Sequence, residues 1–262
     1  MKVIKKYTAI MKASLKSNLM YKKALFSSSF FMLCIMYVFI FLWKAAYGEK
    51  ENIKGMAYEQ VIYYLLITET VALSKINISG KISEEVKSGL LSYLMNKPYN
   101  FILYHFFTEL GSTIPKIIIN FITGYIIILL VGTCNSPLYN LPAVLLAIVM
   151  SIYIDFCFSA FIGILAFRME DITGANMIYS KLNQILGGLF IPISFMPLWM
   201  QKMCSFLPFS TIYNLPGTLF VNFDLLNVLR TFGFQLFWAI ISSLILIVFY
   251  RSNIKYLSIN GG

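Results

Sequence analysis

The strongest constraint on the fold is a set of long segments without any charged side chain. Residues 24–43, 117–132 and 236–250 are apolar and uncharged throughout. A helix needs about 20 mostly apolar residues to cross the hydrocarbon core of a bilayer. Hydrophobic residues make up 59% of the 262-residue chain and charged residues only 12%, too little charge to cover the surface of a soluble domain. The sequence therefore predicts an all-α, polytopic membrane protein with a single transmembrane domain over residues 1–262.

Six transmembrane helices account for the length. The predicted spans are 24–43, 57–76, 104–131, 140–167, a fifth starting near Lys181, and 231–250. The basic region before the first span is too long for a cleaved signal peptide, so we expect the first helix to be retained.

The basic residues predict the orientation. Of the 21 Lys and Arg residues, fifteen fall on the side of the N-terminus and five on the opposite side, with Lys116 inside the third span. This excess predicts that both termini are cytoplasmic. The net charge of +10 is thus explained by membrane orientation, and nucleic-acid binding is not expected.

Residues 1–23 predict an amphipathic helix at the membrane surface. Within 3–20, apolar side chains recur at helical spacing while lysines occupy other positions; the apolar positions are Ile4, Tyr7, Met11, Leu15 and Leu19. A basic amphipathic helix of this kind lies along the lipid headgroups. The alternative is a solvated basic tail.

The region 77–100 is polar enough to leave the membrane. Within 80–98, Ile82, Val86, Leu90 and Leu94 recur at helical spacing, and Pro98 ends the pattern. This predicts a short amphipathic helix on the cytoplasmic side. Such a helix rests on lipid or inserts into a groove of a cytoplasmic partner, and composition alone does not choose between the two.

The region 181–216 predicts broken backbone within an apolar segment. It contains a Gly187–Gly188 pair and, after the pair, four of the eight prolines: Pro192, Pro197, Pro208 and Pro216. Proline interrupts the helical hydrogen-bond ladder, and broken backbone at membrane depth needs protein or a water-lined cavity around it. We expect a re-entrant or interfacial hairpin on the outer face between helices 5 and 6, with a kinked helix and surface loop as the alternative. A disulfide between Cys134 and Cys204 is conceivable on this face.

Ionisable residues inside the spans are the candidates for an intramembrane polar path. They are Glu69, Glu109, Lys116 and Asp155, with His105 near a helix end. Each charge at the bilayer centre costs roughly 2.5–3.5 kcal/mol on insertion scales, so these side chains should face the bundle interior or pair. His105, Glu109 and Lys116 share one helix face. A polar path and a purely structural role both remain open.

The sequence offers no catalytic constellation. There is one histidine, no nucleotide-binding loop and no Ser/His/Asp set, so we expect neither a metal site nor a cofactor bound by this chain. An intramembrane enzyme is the least favoured function.

Three segments together resemble the membrane subunit of an ABC transporter of the ABC-2 type. They are GKISEEVKSGLLSYLMNKP at 80–98, IPISFMPLWMQKMCSFLPFSTIYNLP at 191–216 and the tail YRSNIKYLSINGG at 250–262. The resemblance covers essentially the whole chain. It implies that the 80–98 segment is a coupling helix docking on an ATPase, with contacts from Gly80, Ile82, Glu84, Glu85, Gly89, Leu90 and Leu94.

The resemblance also implies the partners and the function. ATP and Mg²⁺ would be bound by a separate ATP-binding subunit, and a second permease, identical or different, would complete the transporter. The expected activity is export of a hydrophobic compound, peptide or antibiotic across the bacterial cytoplasmic membrane. The alternative is a stand-alone membrane protein: a proton-coupled carrier using Glu69, Glu109 and Asp155, or a peptide-immunity protein.

Overall fold

The computed structural model describes residues 2–131 and 137–256, and these residues are mostly helical. The helices are α1 (Lys2–Met20), α2 (Lys22–Tyr47), α3 (Tyr58–Ser74), α4 (Ile78–Lys87), α5 (Leu90–Met95), α6 (Phe101–Val131), α7 (Leu141–Leu165), α8 (Thr173–Leu186), α9 (Leu198–Phe206), α10 (Asn214–Val221) and α11 (Leu225–Asn253). Short 3-10 turns cover Leu138–Asn140, Ile193–Phe195, Pro208–Thr211 and Ile254–Tyr256. Cys134 and the last six residues of the predicted tail lie outside the described residues.

Five helical segments of the described chain are long and apolar enough to cross a membrane. They are Lys22–Tyr47, Tyr58–Lys87, Phe101–Val131, Leu138–Leu165 and Leu225–Tyr256. The all-α, multi-pass class predicted from sequence is therefore confirmed. The fifth span, expected to start near Lys181, has no long helix to match it: α8 begins eight residues earlier, at Thr173, and ends at Leu186.

A small β-hairpin connects α2 to α3. Strands β1 (Asn52–Ile53) and β2 (Met56–Ala57) pair antiparallel around Lys54 and Gly55, both with positive φ. Two central residues with positive φ give the turn whose twist matches paired strands. Lys54 Nζ donates to the carbonyl of Phe195 at 2.9 Å, which joins this hairpin to the segment after α8.

Helix α3 is the centre of the bundle. Every residue from Val61 to Val71 is buried, and α2, α6 and α10 pack around it. Gly217 allows α10 to approach closely, since a Cβ there would lie 2.6 Å from the ring of Tyr64. On the other side, a Cβ on Gly124 of α6 would lie 2.6 Å from a methyl of Leu66.

Helix α1 is present where the sequence predicted it, and one side of it packs along the first half of α6. The backbone N–H of Asn100 donates to the Tyr7 hydroxyl at 2.9 Å, and Ser14 Oγ donates to the Thr108 carbonyl at 2.7 Å. At Gly111 a Cβ would lie 2.2 Å from the carbonyl oxygen of Met11, so the backbones touch there. The N-terminal helix is therefore anchored to protein as well as amphipathic in sequence.

The segment predicted as one helix over 80–98 consists of two helices. Asn77 caps α4 by accepting from the Gly80 N–H at 2.9 Å. Gly89 then adopts φ +73°, a left-handed conformation that ends α4 and lets α5 leave in a new direction. The helical spacing of the apolar residues continues through Gly89, and so it did not reveal the bend.

The proline-rich segment is a series of short helices held against α3. α8 stops at Gly187–Gly188, where Gly188 has φ +74°. The Tyr64 hydroxyl donates to the Gly188 carbonyl, and Thr68 Oγ1 donates to the Leu189 carbonyl at 3.0 Å. These side chains satisfy carbonyls that the broken helix leaves free, as backbone inside a membrane protein requires.

Candidate functional site

The predicted coupling residues separate into exposed and buried groups. Ile82, Glu85 and Leu94 are buried. Glu84, Gly89 and Leu90 are exposed, Leu90 by 47%, while Gly80 lies at a half-exposed position. Tyr93, which the sequence had not singled out as a contact, is 59% exposed on the same short helix. An apolar pair therefore faces outward from α5.

The side chain of Glu85 connects α4 to α6. Its carboxylate oxygen lies 3.0 Å from His105 Nε2, and the imidazole is completely buried against the ring of Phe101. The sequence had placed His105 on one face with Glu109 and Lys116, but the carboxylate that its imidazole meets is that of Glu85, twenty positions earlier. No local pattern indicates this contact, because it depends on how α4 packs against α6.

A groove of about 520 Å³ runs beside α4 at this end of the molecule. Its walls come from α4 and from the start of α8, with lining residues Asn77, Gly80, Ser83, Glu84, Lys87, Ser88, Asp171, Ile172, Thr173 and Asn176. The Asp171 carboxylate accepts from the hydroxyl of Thr173 at 2.6 Å and from its N–H at 3.0 Å. These hydrogen bonds lower the pKa of Asp171 below its usual value, so the groove keeps an anionic edge.

A second polar site is centred on Asp155 of α7. Its Oδ1 accepts from Lys75 Nζ at 2.7 Å, from the Tyr179 hydroxyl at 2.6 Å and from Asn183 Nδ2 at 3.0 Å. The Lys75 ammonium also lies 4.4 Å from the centre of the Tyr213 ring. Four separate segments therefore meet here: the end of α3, α7, α8 and the turn before α10.

The sequence identified Asp155 but none of its partners. Lys75 was assigned to the cytoplasmic end of the second span, which is where a basic residue is expected. Tyr179 and Asn183 lie on α8 at positions four apart, and Asn183 is also buried. An amide and a phenol four positions apart, on one face of a helix, were the available signal in the sequence.

The Asp155 site borders a cavity of about 350 Å³. The lining residues are Ala72, Lys75, Ile76, Asn77, Asp155, Ser159, Asn176, Tyr179, Ser180, Asn183, Gln184, Leu189 and Tyr213. Most of these side chains carry amides or hydroxyls. The cavity can therefore form many hydrogen bonds with a bound group.

The other residues of the predicted polar path do not line this cavity. Glu69 and Glu109 are buried, and each has one carboxylate oxygen without a hydrogen-bond partner among the described residues. Glu109 has Asp155, Lys75 and Lys81 as electrostatic neighbours, whereas Lys116 is half-buried farther along α6. Glu109 is thus within electrostatic range of Asp155 and lies one turn of α6 beyond His105.

The four prolines of the predicted outer hairpin mark the starts of short helices. Pro192 and Pro197 immediately precede the turn at Ile193–Phe195 and α9. Pro208 begins the next turn, and Pro216 lies in the first turn of α10. Proline is tolerated at such positions because the first N–H groups of a helix have no intrahelical acceptor.

A comparison with protein families decides the class of the molecule. The family model described as ABC-2 family transporter protein matches residues 33–261. The chain belongs to the ABC-2 transporter family. The match extends from α2 to the end of the chain and includes both the α4–α5 bend and the broken segment of this ABC-2 protein. A search of the curated proteins found no match.

Membership in the family agrees with the predicted resemblance and places the protein in a membrane. Membrane subunits of this family generally have no catalytic activity of their own, and the family implies an ABC transporter with an ATP-binding partner. The exposed α5 helix and the buried Asp155 site can therefore be considered as parts of a transporter.

Proposed function

We propose that this ABC-2 protein is the membrane subunit of an ATP-driven exporter. A separate ATP-binding subunit, which holds ATP and Mg²⁺, docks at the α4–α5 bend, and a second permease, identical or different, completes the pathway. The exported substrate is a hydrophobic compound, peptide or antibiotic. The observation that carries the proposal is the outward-facing pair Leu90 and Tyr93 on a short helix whose other side is buried through Leu91 and Leu94.

The contacts that α4 makes with the bundle are what make the adjoining α5 suitable for coupling. α4 packs closely on α7, since a Cβ on Gly163 would lie 3.0 Å from Ile82. The Glu85–His105 contact joins α4 to α6 as well. A push on α5 would therefore reach two transmembrane helices at once. Nucleotide binding then shifts the transporter between inward- and outward-facing states through its different affinity for each.

The same proposal includes the orientation. α8 and the broken segment after it form a further crossing and an outer hairpin, which gives six crossings with both termini in the cytoplasm of a bacterium. α1 lies at the inner membrane surface beside α6. The support is the excess of basic residues on the side of the N-terminus and the cover that α3 gives to the broken backbone.

The decisive experiment is purification of the tagged protein from its native host in mild detergent. We expect a co-purifying subunit with a nucleotide-binding loop, identified by mass spectrometry, and ATPase activity in the complex. Leu90→Asp should remove both the co-purifying subunit and the ATPase activity, because a charge would replace an apolar side chain in the proposed interface. Leu198→Asp places the same change on an exposed leucine of α9, at the opposite end of the molecule, and should retain both.

A proton-coupled carrier is the second candidate, and the buried carboxylates favour it. Glu69, Glu109 and Asp155 are nearly inaccessible to solvent, the setting in which carboxyl groups take up and release protons. A carrier would purify without an ATPase and would respond to a proton gradient. Loss of the ATP-binding subunit only in Leu90→Asp, with an unchanged elution profile, would argue against it.

A further inference from the structure

The cavity beside Asp155 adjoins the groove beside α4, with which it shares Asn77 and Asn176, but none of the predicted coupling residues lines it. Its walls come from the end of α3, from α7 and α8, and from Tyr213, all within the bundle. The coupling role of α4 and α5 makes no use of its amides and hydroxyls. Their arrangement therefore needs a different explanation.

The charges in the cavity wall compensate each other. Asp155 Oδ1 accepts three hydrogen bonds, and one of the three donors is the Lys75 ammonium at 2.7 Å. An ion that entered would lose its hydration and find no uncompensated charge to replace it. An uncharged polar group would lose less hydration and could pair with the remaining amides and hydroxyls.

One buried acceptor at the cavity has no donor. Asn183 lines the cavity with its side chain 97% covered, and its Nδ2 donates to Asp155. Its Oδ1 has no hydrogen-bond partner within 2–131 and 137–256. Buried acceptors are almost always satisfied, so this oxygen needs a donor from outside the described residues, either water or an N–H or O–H of a bound molecule.

An apolar stripe on α8 adjoins the cavity. Ile178, Leu182 and Ile185 follow one another at helical spacing and are exposed by 64%, 40% and 53%. They alternate with Tyr179 and Asn183, which face Asp155. A molecule with one polar end in the cavity would therefore place its apolar part along this stripe.

We infer that the cavity binds the uncharged, hydrogen-bond-donating end of an amphipathic substrate, such as the amide end of a lipopeptide. The N–H groups of that end donate to the unpaired Asn183 Oδ1 and to neighbouring amides. This inference rests on the proposed transport function and specifies its substrate class.

The test uses the purified transporter complex and three radiolabelled probes in equilibrium dialysis. The first is myristoyl-Ala-Ala-amide, which is uncharged and rich in N–H donors. The second is its fully N-methylated analogue, which keeps the chain length and the carbonyl acceptors but has no donors. The third is myristoyl-Lys-Lys-amide, which keeps the donors and adds charge. We expect the first to bind at least tenfold more tightly than either of the others.

Two variants locate the binding. Ser180 lines the cavity but is exposed, so Ser180→Phe fills the opening with little risk to folding and should abolish binding of the first probe. Met177→Phe adds the same ring to an exposed position of α8 outside the cavity lining and should leave binding unchanged.

The inference is overturned if the N-methylated probe binds equally, if the charged probe binds more tightly, if no probe binds, or if Ser180→Phe has no effect. Retention of the ATP-binding subunit is recorded in every sample. A complex that keeps its ATPase but fails these tests would refute the substrate class and leave the transport function standing.

Discussion

At the scale of single residues, Glu85 shows how a side chain in a recognisable motif can have an unexpected position. Its place in the 80–98 segment predicted a docking contact, and in the structure it is buried against His105. Glu84, the neighbouring residue, is exposed. Helical spacing puts Glu85, three residues after Ile82, on the apolar face and Glu84 off it, but it does not show that Glu85 meets His105, which depends on the packing of α4 against α6.

This difference gives a prediction for stability. Glu85→Leu should lower the melting temperature of the detergent-solubilised protein, because it leaves the buried His105 without its partner; the cost is about 1–3 kcal/mol. Glu85→Gln, which keeps an acceptor, should lose less. Glu84→Leu is the matched control and should change the melting temperature little. Equal shifts for Glu84→Leu and Glu85→Leu would show that the pair does not stabilise the fold.

At the scale of helices, the contact between α1 and α6 depends on a glycine. Gly111→Ala would place a methyl 2.2 Å from the Met11 carbonyl oxygen, which is backbone and cannot rotate away. We expect α1 to separate from α6, and a cysteine introduced at Ser14 should then react with a soluble maleimide several-fold faster.

Gly174 in α8 provides the control for this prediction. A Cβ at that position meets nothing within 4 Å, so Gly174→Ala should leave the labelling rate at residue 14 unchanged. If Gly111→Ala also leaves the rate unchanged, α1 is not held to α6 by this close approach.

The helices differ in how far the sequence predicted them. The long apolar segments predicted α2, α6, α7 and α11, because an apolar segment of that length has few alternatives in lipid. The segment from α8 to α10 was predicted to be broken, but its path was not. That path is fixed by Tyr64 and Thr68, more than a hundred residues earlier in the chain.

The candidate site was also predicted only in part, because its contacts join residues that are far apart in the chain. Asp155 was identifiable because a carboxylate inside an apolar run is conspicuous. Its donors were not, since Lys75, Tyr179 and Asn183 reach it from two other helices. A single sequence shows where a polar side chain is costly but not which residues compensate for it.

At the scale of the whole molecule, the number of crossings determines where the two ends lie. Within residues 2–131 and 137–256, five helices are long enough to span, and an odd number would place the termini on opposite sides. In the proposed arrangement, α8 and the broken segment add a sixth crossing, so that both termini are cytoplasmic.

Labelling in intact cells decides between the two arrangements. We expect Lys50→Cys to react with a membrane-impermeant maleimide, whereas Lys12→Cys and Arg251→Cys should react only after lysis. Cys34, Cys134, Cys157 and Cys204 are first replaced by serine or alanine to remove background labelling. Reaction of Arg251→Cys in intact cells would contradict the six-crossing arrangement.

The burial of α3 has a consequence for how the protein is made. This helix leaves the ribosome early, yet the hydrogen bond from Tyr64 to Asn214 joins residues 150 positions apart. Until α10 is synthesised, α3 must wait in the bilayer or at the translocon with Glu69 and its threonines uncovered, at a considerable cost in lipid. The second spanning helix to be synthesised is thus among the last to be fully enclosed. Nascent chains that stall before residue 214 should therefore be substrates for the membrane proteases that remove unassembled helices.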